Sequence, residues 1–138
     1  MHAGRSFRLR TRSDGTRVGV VNFYAFAHGG RPSWWSEEVP LAATAFGVYE
    51  NRLHVRDGAI VLTEEALAVM SGAESTQVRF DEIERVLLPS KEPLSLTLQV
   101  ILHSGQVVEV PAFGPEGIAF DLFRFLSSAV KETRARAK

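Results

Sequence analysis

From Asp57 to Pro89 the chain never keeps an apolar run for more than a few residues before a turn signal interrupts it. Asp57-Gly58 precedes Ala59-Ile60-Val61-Leu62, Thr63-Glu64-Glu65 precedes Ala66-Leu67-Ala68-Val69-Met70, and Ser71-Gly72 leads on to Ser75–Phe80. Asp81-Glu82-Ile83 then turns the chain into Arg85–Leu88, which Pro89 ends. Runs this short, punctuated by Gly, Asp and Ser, suit strands in a meander and leave too few turns for stable helices. Residues 64–70 are the instructive case. Glu, Ala, Leu and Met favour helix there, but the segment ends at Ser71-Gly72 after less than two helical turns, so the pattern predicts a strand.

Flanking segments fit the same scheme. Leu94, Leu96, Leu98, Val100 and Leu102 alternate with Ser95, Thr97, Gln99, Ile101 and His103, which is the period of a strand with one buried face. Ser104-Gly105 turns that strand into Gln106–Phe113 as a long hairpin. Phe46–Val55 reads as a further strand, joined to 59–62 by a two-residue turn at Asp57-Gly58. Towards the N-terminus, Phe7–Arg12 and Arg17–Phe26 form a hairpin about Asp14-Gly15, and His28–Ser33 is a Gly/Pro loop ahead of Trp34-Trp35. Over Val39–Ala45 the alanines suit a helical turn, while Val39, Leu41, Ala43 and Ala45 also alternate, and the alternation predicts an extended lead-in. After Gly114-Pro115, residues Ile118, Leu122, Phe125, Leu126, Ala129 and Val130 share one helix face, with Ala119 and Phe123 at its margin and Phe120 off it. The cationic tail from Lys131 suits a helix C-terminus and is expected to fray.

A 138-residue chain that is 45% hydrophobic supports one domain with a real core. Sixteen basic residues balance sixteen acidic ones, so no global charge draws the chain to nucleic acid. The absence of cysteine excludes disulfides, thiolate metal sites and cysteine nucleophiles. No N-terminal apolar stretch resembles a signal peptide, and no run approaches the ~20 residues of a membrane span, which predicts a cytoplasmic location.

Seven strands between Phe46 and Phe113 followed by one amphipathic helix resemble a pleckstrin-homology-type barrel. The phrase Asp57-Gly58-Ala59-Ile60-Val61-Leu62-Thr63-Glu64-Glu65-Ala66-Leu67 is similar to a run in GRAM-like and bacterial PH-like domains, as is Phe80-Asp81-Glu82-Ile83-Glu84-Arg85-Val86. The resemblance covers residues 46–134, with 1–45 as an added hairpin and loop, and implies a mainly β, seven-stranded barrel or sandwich closed by the helix. It implies a non-enzymatic binding role towards phosphoinositides, phosphopeptides or proteins, without cofactor. Lipid-binding members use a basic loop between their first two strands. Here that loop, Val55-Arg56-Asp57-Gly58-Ala59, carries one arginine, and the next turn, Thr63-Glu64-Glu65, is acidic.

Two constellations stand out as binding candidates. Arg8, Arg10 and Arg12 share one strand face with Arg17 across the turn, a set able to hold an anion or an acidic lipid. The plainer reading is a solvated face whose charge protects a sheet edge. Phe23, Phe26, Trp34, Trp35 and Phe120 are candidates for a protein interface or a homodimer contact; alternatively the tryptophans plug an open end of the barrel. His2, His28, His54 and His103 lack metal-ligand spacing, and the acidic pairs Glu37-Glu38, Glu64-Glu65 and Asp81-Glu82 lie at turns, so neither metal nor catalysis is expected.

Overall fold

A computed structural model describes residues 23–52, 54–90, 96–112 and 118–136. Within them a five-stranded antiparallel sheet runs in the order β1 (Phe23–Ala25), β2 (Gly47–Tyr49), β3 (Ile60–Leu62), β4 (Ala66–Ser71) and β5 (Glu74–Arg79). A second antiparallel sheet comprises β6 (Ile83–Val86), β7 (Thr97–Leu102) and β8 (Val107–Pro111), and α1 spans Ile118–Arg136. Eight strands are therefore present among the described residues. The extra one, β1, is the end of the segment assigned to the N-terminal hairpin; it pairs Phe23 with Tyr49 and Ala25 with Gly47. Phe26, the last residue of that expected strand, starts a 3-10 turn instead, and the hairpin residues before Phe23 lie outside the described residues. Gly47 is required by this pairing, because a Cβ there would sit 2.5 Å from the Phe23 ring.

Both sheets and the helix contribute to one main core. Ile60, Leu62, Leu67, Val69 and Val78 come from the larger sheet, Leu98, Val100, Val108 and Val110 from the smaller, and Leu122, Phe125, Leu126, Ala129 and Val130 from α1. The ring of Phe125 meets those of Phe46 and Phe80 edge-on, at 5.9 and 6.4 Å between centroids. Burial on this scale contributes roughly 1.5–3 kcal/mol per large apolar side chain, so the helix stripe is what closes the sandwich. The helix stays regular to Arg136 rather than fraying from Lys131. Cations in its last turn oppose the partial negative charge of the exposed carbonyls.

The central strands of the larger sheet, β2 to β4, are buried on both faces, whereas β5 is largely exposed. Opposite the main core, Val48, Ala59, Val61, Ala68 and Met70 meet a cover formed by Phe26, Trp34, Trp35, Val39, Leu41, Ala42 and Ala45. This explains why β3 and β4 read as continuous apolar runs rather than alternating ones. The cover itself corrects an expectation. Residues 39–45 are not extended but a succession of turns, closed by Val39 N–H to Ser36 O, Ala42 N–H to Val39 O and Thr44 N–H to Leu41 O, with Leu41 at φ 64°.

The strand expected over Phe46–Val55 stops at Tyr49, so Asp57-Gly58 is not a two-residue hairpin turn. Glu50 and Asn51 are buried and bond within the following loop instead of continuing a ladder. Asn51 Nδ2 donates to Gly58 O at 2.6 Å and Pro111 O at 3.0 Å, tying the end of β8 to the approach to β3. The β3–β4 turn is held by Thr63 Oγ1, which accepts from the Glu65 and Ala66 N–H groups, and β4 is the strand that turn spacing predicts over the helical propensity of its residues. At Phe80–Glu82 a short 3-10 turn carries the chain between sheets, capped by Glu82 Oε1 accepting from Arg79 N–H at 2.8 Å.

Candidate interaction site

The structure separates the candidates that the sequence groups together. Arg8, Arg10, Arg12 and Arg17 lie outside the described residues. Phe23 packs against the main core, whereas Phe26, Trp34 and Trp35 pack as half-buried rings on the second cluster. Phe26 meets Trp35 edge-on at 4.8 Å between centroids, and the Arg31 guanidinium lies 3.8 Å above the Phe26 ring. Phe120 belongs to the first turns of α1, away from this cluster in the chain. These tryptophans thus form part of a sheet cover.

Beneath that cover sits a carboxylate that the sequence does not single out. Glu50 is fully buried. Its Oε2 accepts from the Trp34 indole N–H at 2.7 Å, and its Oε1 accepts from the His54 backbone N–H at 3.1 Å. The Tyr24 hydroxyl is a further hydrogen-bond partner; partial burial, then the Glu50 charge and that bond, hold the Tyr24 phenol above its ordinary pKa. His54 adopts φ 64°, a left-handed conformation costing about 1–2 kcal/mol for a residue with a Cβ. The bond to Glu50 offsets that cost. Donors converge on both oxygens, so the network anchors the cover to the sheet.

A different arrangement lies on the far side of the main core. Among the described residues β6 has a strand partner on one side only, β7, and it also packs beside α1. Between them is a groove of ≈ 570 Å³. Ser127, Val130, Lys131, Arg134 and Ala135 line its helix wall, and Glu84, Arg85 and Val86 line its strand wall. Spacings of three and four place the five helix residues on one face. Arg134 Nη2 donates to the Ile83 carbonyl at 3.3 Å and also to the Glu84 carbonyl. Arg85 and Lys131 are exposed and have no ion-pair partner among the described residues. The sequence reading missed this site because an edge strand cannot be recognised before the sheet order is known. A usable signal was the 127/130/131/134/135 stripe, which flanks the apolar stripe of the helix.

Among the described residues no group of His, Asp or Glu is placed to hold a metal ion, and no helix is long and apolar enough to cross a membrane. Comparison of the chain with protein-family models gives no match, and comparison with curated proteins gives none either.

Proposed function

We propose that this chain is a non-enzymatic binding module of PH-like form, and that its ligand is an extended segment of another protein laid along β6 in the groove beside α1. The observation that carries this reading is an edge strand bordering a groove with apolar groups, Val86, Val130 and Ala135, between charged walls. An extended segment added at such an edge gains main-chain hydrogen bonds, while alternate side chains enter the groove. From β2 onward, seven strands followed by one helix support the PH-like part of the reading.

The test is to pan a phage-displayed library of linear peptides against the whole chain, then map amide exchange with a captured peptide bound. Slowed exchange at Glu84–Val86 and along 127–135 is the expected result. Protection of the Phe26–Ala45 cover would move the interface to the tryptophans. A concentration-dependent dimer protecting the same edge would replace the foreign segment by a second copy.

A further inference from the structure

We infer that the β6–α1 groove selects acidic segments, and that Arg134 is the gate that enforces the choice; this rests on the groove being the binding site. In the free protein the Arg134 guanidinium occupies the carbonyls of Ile83 and Glu84. Both carbonyls lie at the register shift between Ile83 and Arg85, which brings the acceptors of consecutive residues to one guanidinium, and main-chain acceptors are what an incoming strand's N–H groups use. Any ligand that pairs there must displace Arg134. A neutral segment leaves the displaced guanidinium with water alone, whereas a segment bearing a carboxylate offers it a two-pronged, charge-assisted partner in the same groove.

The surrounding charge points the same way. Among the described residues Arg85, Lys131 and Arg134 line the groove against one acidic residue, Glu84. Arg85 and Lys131 are unpaired among the described residues, so a ligand carboxylate need not break an existing ion pair to reach them. Basic segments meet three like charges. An acidic protein segment suits the site better than a lipid headgroup, because the strand edge offers main-chain partners that a headgroup does not use.

Three synthetic peptides that alternate threonine with glutamate, glutamine or lysine serve as probes of the full-length chain, read by fluorescence anisotropy and amide exchange. The glutamate peptide should bind tighter than the glutamine peptide by about tenfold or more, the range of one or two charge-assisted bonds. That margin should shrink as salt rises. Arg134→Gln should weaken the glutamate peptide and strengthen the glutamine peptide, because the gate and its charge go together. Lys131→Gln touches neither carbonyl and should weaken only the glutamate peptide. Equal binding of glutamate and glutamine peptides, with Glu84–Val86 protected, would overturn the selectivity and leave the groove as a binding site. Binding without protection of β6 would overturn both. Vesicles rich in phosphatidylserine that protect the same residues would assign the cations to a lipid surface and also overturn the inference.

Discussion

The Glu50 network and the β6–α1 groove both set charge against main-chain groups, yet they are opposites in how far that charge is satisfied. Glu50 is enclosed, with Trp34 and His54 donating to separate oxygens and Tyr24 bonded as well. A carboxylate that deep is tolerable only with such donors, because desolvation outweighs any single bond. In the groove, Arg85 and Lys131 remain exposed and unpaired among the described residues, and Arg134 spends its hydrogen bonds on carbonyls of a strand edge. Solvated charges of this sort contribute little to folding. A closed network fixes geometry, and an open one keeps its interactions for a ligand.

Removing the buried carboxylate should have the largest effect. Glu50→Ala strips the acceptor from the Trp34 indole and the His54 amide, and leaves the φ 64° conformation of His54 without its compensating bond. Each buried donor left without its acceptor costs about 1–3 kcal/mol, measured as a shift in the urea midpoint at unchanged slope. A loss below about 1 kcal/mol would mean that water substitutes for the carboxylate and that this region is as open as the groove.

Why this network was hidden in the sequence, while much of the fold was not, follows from the range of the interactions. Leu98, Val100, Leu102, Val108 and Val110 declare themselves by alternation, and Leu122, Phe125, Leu126 and Ala129 by helical spacing, because each pattern is local. Ser104-Gly105 gives the hairpin for the same reason, with Gly105 at φ 92°. Glu50, by contrast, stands in a polar pair after Tyr49 and looks solvated; its meaning comes from Tyr24 and Trp34, which only the folded chain brings to it. Alternation misled at Val39–Ala45, where apolar groups cover a sheet from a series of turns instead of forming a strand. The groove was illegible in another way. Of its helix residues, Lys131, Arg134 and Ala135 fall in the stretch expected to fray and Val130 reads as core, and nothing local marks Glu84–Val86 as an edge.

Alkaline pH should strain the buried parts of the molecule by a smaller margin, through Tyr49 in the main core and Tyr24 beside Glu50. The chain has two tyrosines, Tyr24 and Tyr49, and both hold their protons more tightly when folded. Burial pushes Tyr49 from 10.0 up to about 12. A phenol with a raised folded pKa contributes stability that is complete below the unfolded value and disappears as pH climbs through the folded one. Stability should therefore fall from about 10 to about 12, by roughly 2–3 kcal/mol for Tyr49. Phenolate absorbance and loss of circular dichroism should rise together. Tyr49→Phe should remove that part of the alkaline loss. Phenolate appearing near 10.0 with the fold intact would show that solvent reaches both rings.

The smallest effect is the one that decides what the groove is for. Arg85→Gln and Lys131→Gln, alone or together, remove exposed charges that make no ion pair among the described residues. Surface substitutions of this kind stay within about 0.5 kcal/mol, so the urea midpoint should barely move. Removing like charge from a cationic groove can even stabilise the chain slightly, and that gain should vanish at high salt, where the repulsion is screened. The same double variant should lose affinity for a glutamate-bearing strand. Stability and binding would then be uncoupled at the groove, as they are not at Glu50. A destabilisation by the double variant comparable with that of Glu50→Ala would erase the contrast, because it would show that Arg85 and Lys131 hold β6 against α1 and are not available to a partner.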